Sequence, residues 1–294
     1  MIQKLLFNDE EEAVKPVNVA SVPLRSPFRY PGGKTWFVPR LREWISSMAE
    51  KPRFLVEPFA GGGIISLTAA FESLTGHVVM SEIDEDVAAV WETVLEGDSE
   101  WLSNRILNFE LTKASALEEL STVRRGTKQK AFQTILKNRI FHGGILANGS
   151  GLMKSGESNK GITSRWYPKT LAQRFRDIDW VIEKLTFYRK DAFEIIDKFK
   201  SDQDSCFFID PPYTAGGKNA GSRLYKHHAL DHDDLFYKCS QIKGDFIMTY
   251  DNSEEVKALV EKYNLKAKAI SMRNTHNAKM SELVIGRDLS WLEY

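Results

Sequence analysis

Three short runs of continuous apolar residues punctuate the chain: Phe54-Leu55-Val56, Val78-Val79-Met80 and Cys206-Phe207-Phe208-Ile209. Each is too short for a helix and rich in branched or aromatic side chains, the pattern of a strand covered on both faces. Around them the spacing becomes helical. Phe37, Leu41, Trp44 and Ile45 form an apolar stripe in a helix predicted from Thr35 to about Met48. Further helices are predicted from the glycines at 61–63 to about Phe71, and over Gln129 to Phe141. Buried strands alternating with helices predict an α/β protein. Open sheets of that kind gather ligands at the carboxyl ends of their strands, so chemistry is sought just after each run.

The third run leads into Asp210-Pro211-Pro212-Tyr213. Two prolines hold the backbone extended and remove two N–H donors. The carbonyls of Asp210 and Pro211 are left to accept hydrogen bonds from a ligand. A carboxylate, a carbonyl and an aromatic face together make a receptor for a planar amine, such as a nucleobase amino group. The same tetrapeptide also occurs as a rigid turn without chemistry, so the other strand ends carry weight.

The first run leads into Glu57-Pro58-Phe59-Ala60-Gly61-Gly62-Gly63, where glycines let a backbone approach a ligand closely. The second ends at Ser81-Glu82-Ile83-Asp84, with Glu82 lying 21 residues after Gly61 (82 − 61). An acidic residue at that tip suits the two hydroxyls of a ribose; whether Asp84 shares the role stays open. A dinucleotide fingerprint would need glycine at position 66, which is Ser66, and Glu57 would set negative charge beside a pyrophosphate. A cationic sulfonium with an amine suits this acidic entrance better, which points to S-adenosylmethionine. A third segment, Phe28-Arg29-Tyr30-Pro31-Gly32-Gly33-Lys34, combines a tight glycine turn with a lysine able to reach a carboxylate and a tyrosine able to stack.

Net charge is zero, from 40 basic and 40 acidic side chains, but the distribution is uneven. Residues 121–176 hold twelve Lys or Arg against Glu157 alone, a local excess of +11 (12 − 1). A solvated helical face would mix both signs, so this window is expected to meet phosphates. Arg124, Arg125, Lys128, Lys130 and Arg139 are the candidate contacts. The glycine-rich stretch from His142 to Ile162 suits a hairpin or loop that enters a groove and presents Asn148, Ser150, Lys154 or Asn159 to base edges. A second glycine-rich loop, Thr214 to Arg223, with Lys218 and Arg223 as its cations, is expected to order on DNA.

Taken in order, Tyr30-Pro31-Gly32-Gly33-Lys34, Glu57 through Gly63 and Asp210-Pro211-Pro212-Tyr213 resemble the motifs of the Dam-type (D12 class) DNA adenine N6-methyltransferases. The likeness extends over about residues 25 to 290, through Tyr188-Arg189-Lys190-Asp191-Ala192, His232-Asp233-Asp234-Leu235-Phe236, Phe246 to Ser253 and Ser281 to Ile285. It implies a doubly wound, mostly parallel, Rossmann-like sheet with an antiparallel terminal hairpin and an inserted helical target-recognition subdomain. On that pattern residues 1–24 are an extension, 25–95 and 181–294 the catalytic domain, and 96–180 the insertion. The implied cofactor is S-adenosylmethionine, held by Tyr30, Gly33, Lys34, Glu57, Phe59, Gly61, Gly63, Glu82, Asp191 and Asp210. The implied catalytic set is Asp210, Pro211, Pro212 and Tyr213, acting on an adenine flipped out of double-stranded DNA. A restriction endonuclease acting separately is a partner that such a role admits. The family usually has Asp where this chain has Glu82, and residues 1–24 have no counterpart. Methylation of another amine (cytosine N4, RNA adenine) and a non-catalytic DNA-binding regulator remain the alternatives.

The rest of the composition adds bounds. The 294 residues, 42% of them apolar, suffice for one large α/β domain with an insertion. No apolar run nears the roughly 18 residues that span a membrane, and no signal peptide is visible, so a cytoplasmic protein without membrane contact is expected. Cys206 and Cys239 are expected to be reduced packing residues, with no metal role.

Overall fold

The computed structural model describes residues 19–30, 32–147, 149–212, 230–273 and 279–292. Seven strands form one sheet: β1 (Phe54–Glu57), β2 (His77–Ser81), β3 (Leu185–Tyr188), β4 (Ser205–Ile209), β5 (Asp245–Asp251), β6 (Lys266–Arg273) and β7 (Lys279–Gly286). Their order is β3-β2-β1-β4-β5-β7-β6. The first five are parallel, while β7 enters antiparallel between β5 and β6. This is the doubly wound, mostly parallel sheet with a terminal hairpin expected from the sequence. The chain winds outward from β1 to β2 and β3 on one side, then returns to β4 and β5 on the other. The strand order therefore reverses between β1 and β4, where such sheets open a crevice.

The apolar runs are continuous because each strand feeds two cores. Leu55, Val78 and Phe208 face a cluster built with α1 (Val38–Ser47), α2 (Ile64–Phe71) and α3 (Glu85–Thr93). Their neighbours Val56, Val79 and Phe207 face a second cluster with α8 (Ala192–Phe199), α9 (His232–Ser240) and α10 (Glu254–Lys262). Phe208 is fully buried against Phe37, ring centroids 4.9 Å apart; truncating such a ring to alanine costs about 3–5 kcal/mol. The helix predicted from Thr35 starts later than its stripe implies. Lys34–Phe37 forms a 3₁₀ turn, and α1 begins at Val38 with Pro39 in its first turn, where a missing N–H is harmless.

Residues 96–180 contribute α4 (Ser99–Leu107), α5 (Lys113–Ser121), α6 (Thr127–Ile140) and α7 (Pro168–Asp179), and no strand of the sheet. α6 packs on α3 and α7 on α4. Their buried Leu102, Phe132, Ile135 and Phe175 belong to the same cluster as α1–α3, so these helices extend one cover of the sheet. After α6 the chain closes a short loop: His142 donates to the Gly151 carbonyl at 3.0 Å and Met153 to that of Ile140 at 2.9 Å. Cys206 and Cys239 are buried free thiols. Among the described residues, no helix is long and apolar enough to cross a membrane, and no group of His, Cys, Asp or Glu is arranged to hold a metal.

Candidate active site

The carboxyl ends of β1, β2 and β4 open into a cavity of about 700 Å³. Asp210 and Pro212 enter it from β4, Glu57 and Phe59 from β1, and Glu82 and Asp84 from β2. Asp191, which caps α8 by accepting the Phe193 N–H at 2.8 Å, borders it from the end of β3. Tyr30, Gly33 and Lys34 also line it, and Gly61 and Gly63 belong to the turn that follows β1. The expected cofactor residues thus all line one space. Pro211 is buried beside it. Tyr213 lies outside the described residues.

The glycine turn is shaped by what presses on it. Gly61 and Gly63 have φ of +47° and +65°, in the left-handed region that side chains avoid. A Cβ on Gly61 would lie 2.6 Å from the Tyr30 ring, and one on Gly63 2.7 Å from the ring of Trp91. The Trp91 indole N–H donates to the Gly61 carbonyl at 2.9 Å, and the Ser26 hydroxyl donates to that of Gly62. Trp91 and Ser26 carry no chemical signature in the sequence; a tryptophan at helical spacing reads as core.

Two carboxyls flank this turn, Glu57 buried and Glu82 half-buried. Glu82 accepts the Gly61 N–H at 3.0 Å on one oxygen and the Asp84 N–H at 2.9 Å on the other. Its remaining acceptor capacity is open to a hydroxyl. Burial pushes Glu82 up to about 7, against the pull of the backbone N–H donors. Glu57 accepts the backbone N–H of Ser66 at 2.9 Å and its hydroxyl, tying β1 to the first turn of α2. Burial pushes it up to about 8. Asp84 caps α3 through the Asp86 N–H at 2.8 Å. A turn whose Cβ positions must stay empty, ringed by carboxyls poised to ionise beside a cation, fits S-adenosylmethionine.

Asp210 is held by Lys34 and Thr249. The buried Lys34 ammonium, 3% exposed, lies 2.9 Å from its Oδ1 and 3.5 Å from Oε2 of Glu282 on β7. The same ammonium donates to the Gly32 carbonyl at 3.0 Å. The Thr249 hydroxyl on β5 donates to Asp210 Oδ1 at 2.8 Å. Thr249 and Glu282 were not among the expected site residues, since a threonine within a strand reads as packing and their approach is tertiary.

The basic window looks different in space. Arg124 pairs with Asp86 and donates to Gln133 at 3.1 Å. Lys128 lies 2.6 Å from Asp98, and Lys130 lies 2.8 Å from Glu85. The unopposed face expected from the sequence is therefore corrected: partners from α3 and the turn after it meet these cations and fasten α6 down. Arg139 is corrected more strongly. It is 6% exposed and donates to the Pro27 carbonyl, so it sits beneath the surface. Arg125 and Lys154 are exposed. Asn148, Lys218 and Arg223 lie outside the described residues.

Residues 30–274 match the D12 class N6 adenine-specific DNA methyltransferases. The Type II methyltransferase M.MjaIII of Methanocaldococcus jannaschii is 23% identical over 262 residues, spanning 81% of this chain and 88% of that one. Among solved structures, the rRNA methyltransferase aviRa of Streptomyces viridochromogenes is 12% identical with a TM-score of 0.39, covering 94% of each chain. A SAM-dependent methyltransferase from Agrobacterium tumefaciens is 11% identical with a TM-score of 0.40, covering 94% of this chain and 70% of that one. Likenesses that faint carry no argument, whereas the match over residues 30–274 spans most of the sequence and all three motifs. This chain belongs to the D12 class of N6 adenine-specific DNA methyltransferases and uses S-adenosylmethionine.

Proposed function

We propose that the protein methylates the exocyclic N6 amine of an adenine swung out of duplex DNA into the cavity beside Asp210. A duplex hides that amine in the base stack, so the nucleotide must be extruded to react. The observation that carries this reading is that Asp210, Glu82 and the glycine turn line one cavity. A methyl donor and an amine acceptor then meet in a single space.

When bound, S-adenosylmethionine supplies an electrophilic methyl group on a cationic sulfur. Glu82 would accept hydrogen bonds from the ribose hydroxyls, and Asp191 would face the adenine end. Tyr30 and Gly33 would wall the cofactor in, and Phe59 and Gly63 would shape its bed. The Asp210 carboxylate and the Pro211 carbonyl would accept the two amine hydrogens. That draws the nitrogen lone pair out of conjugation and aims it along the line of displacement. Pro212 keeps the backbone extended, and Tyr213 would stack on the base. Lys34 and Thr249 hold the Asp210 carboxylate in place, so alignment and polarisation do most of the work. The methylated amine is acidic and sheds its proton without a strong base.

Target recognition is assigned to residues 96–180, with Arg125, Asn148 and Lys154 facing DNA alongside Lys218 and Arg223. Arg124, Lys128 and Lys130 would add to it where they exchange acidic partners for phosphates. A restriction endonuclease acting separately would be the partner whose cleavage such methylation blocks. Transfer of tritium from labelled cofactor to duplex DNA tests the reading. Label should appear on adenine N6 with the wild type and vanish with Asp210→Ala. Label on another base, or on RNA in preference to duplex DNA, overturns it.

A further inference from the structure

Four arginines gather where the segment before Tyr30 crosses the helices of residues 96–180. Arg139 on α6 has Arg174, Arg29 and Arg165 as its electrostatic neighbours, and Arg165 also bears on Arg29. Two of them fasten the crossing segment: Arg139 donates to the Pro27 carbonyl and Arg174 to that of Ser26 at 3.1 Å. Arg29 is held by its backbone, which gives its N–H to Asn138 at 2.8 Å and receives the Asn138 amide at 2.9 Å. A Cβ on Gly144 would come within 2.6 Å of the Arg29 carbonyl, so loop and segment are in close contact.

Like charges packed this closely repel, and a fold does not assemble them without compensation. Among the described residues no carboxylate pairs with Arg29, Arg139 or Arg174. Nη1 of Arg29 and Nε of Arg139 are buried and lack an acceptor, although Arg139 is 94% buried (100 − 6). Buried donors without acceptors are uncommon and call for a partner. Burial and the three neighbouring guanidinium groups push Arg139 down to about 9, so it keeps its charge at neutral pH. Arg29 also lines the cavity that holds Asp210 and Pro212. The counter-charge missing from Arg29, Arg139 and Arg174 is thus wanted at the rim of the active site.

We infer that Arg29, backed by Arg139 and Arg174, receives a phosphodiester group of the substrate DNA beside the nucleotide whose base enters the cavity. Guanidinium forks suit phosphate oxygens in charge and geometry. The position at the rim matches what extrusion demands, because a flipped base stays tethered to backbone that must be held outside. Arg139 lies too deep to be a main contact, and Arg174 is engaged with the Ser26 carbonyl. They add charge beneath Arg29 and fix the segment that carries it. This inference rests on the proposed function for the identity of the anion, but not for its existence.

The test reads binding and methylation separately. Affinity for a random-sequence duplex of about thirty base pairs is titrated against salt for wild type, Arg29→Gln and Arg29→Lys. Lys262→Gln, at the end of α10, serves as control. Because Arg29 is anchored by its backbone, Arg29→Gln should fold normally, with unchanged cofactor affinity as the check. The slope of log affinity against log salt should shrink by about 0.9 in Arg29→Gln, recover in Arg29→Lys and stay fixed in the control. An unchanged slope in Arg29→Gln overturns the inference. So does an altered choice of methylated sequence at unchanged slope, which would make Arg29 a reader of base edges. A melting-temperature rise with inorganic phosphate that Arg29→Gln loses while the DNA slope stays fixed would assign the cluster to free phosphate, which also overturns it. A wild type that binds duplex with the expected slopes but transfers no label loses the proposed function and leaves the inference standing. A wild type that binds no DNA loses both.

Discussion

The Lys34 ammonium lies 2.9 Å from the Asp210 carboxylate, joining the first motif of the chain to the last. Lys34 is almost fully buried, so the pair is sheltered from solvent screening and sets the direction in which Asp210 points. Asp210→Ala should lower kcat by about 10²–10³-fold or more, about 3–5 kcal/mol in the barrier. Cofactor affinity should stay within about tenfold. Single-turnover transfer together with calorimetry checks both; a tenth or more of wild-type turnover would remove Asp210 from its role.

Glu282 is the second carboxylate on Lys34, 3.5 Å away. Glu282→Gln takes one charged partner from the ammonium and frees it to shift. Turnover should fall by roughly tenfold, about 1.4 kcal/mol, with cofactor affinity held. Equal losses in kcat and cofactor affinity would show a general disturbance of the site.

Glu82→Ala should weaken S-adenosylmethionine binding by about 1.5–3 kcal/mol, the scale of hydrogen bonds to a charged acceptor. It also removes the acceptor for Gly61 and Asp84 N–H, so the turn should loosen. DNA affinity in the absence of cofactor should not move. Unchanged cofactor affinity by calorimetry would pass the ribose role to Asp84.

Glu57 and Glu82 titrate at about 8 and about 7 in the folded chain, raised by burial from an ordinary 4.5. The folded state then holds protons that the unfolded chain has released. The stability from this source is complete below about pH 4.5 and is lost as pH rises through 7 to 8. Without cofactor, Glu57→Gln should therefore gain on the wild type by about 1–3 kcal/mol between pH 5 and pH 8.5. Denaturant titrations at the two values measure it. Binding of a cationic cofactor should favour the ionised carboxyls and release protons near pH 7, seen as a buffer-dependent heat.

Gly61→Ala combines a left-handed φ of +47° with a contact of 2.6 Å to the Tyr30 ring. Tyr30 must move off the turn or the turn must open. Cofactor affinity should fall by at least tenfold, with a melting temperature lowered by several degrees (about 1–3 kcal/mol). A variant with normal affinity would mean that the turn does not cradle the cofactor.

Much of this was legible in the sequence, for identifiable reasons. Strands β1, β2 and β4 announce themselves because both their faces are covered, which leaves no polar alternation. The glycine turn and Asp210 were legible because they follow such strands directly. The partners of the basic cluster were hidden for the opposite reason. Asp86, Asp98 and Glu85 stand 38, 30 and 45 residues before the cations they meet, outside any window that a local charge count surveys. Trp91 and Thr249 were illegible because their roles come from where the fold carries them. Nothing in an apolar stripe says that one indole N–H will reach the Gly61 carbonyl.

The placement of β7 has a consequence for how the chain is made. Its residues 279–286 come last among the strands, yet they lie inside the sheet, between β5 and β6. Until they leave the ribosome, β5 stands as an open edge with unpaired backbone groups, a surface that invites wrong pairing. Lys34 meanwhile waits for Glu282, 248 positions further on (282 − 34). Contacts spanning so much of a chain close slowly. The nascent protein therefore passes through a stage in which the Gly61 turn and Asp210 have been synthesised but the bracket around Lys34 is still incomplete. Time to maturity, rather than final stability, is what a slow or weakened β7 would cost the cell.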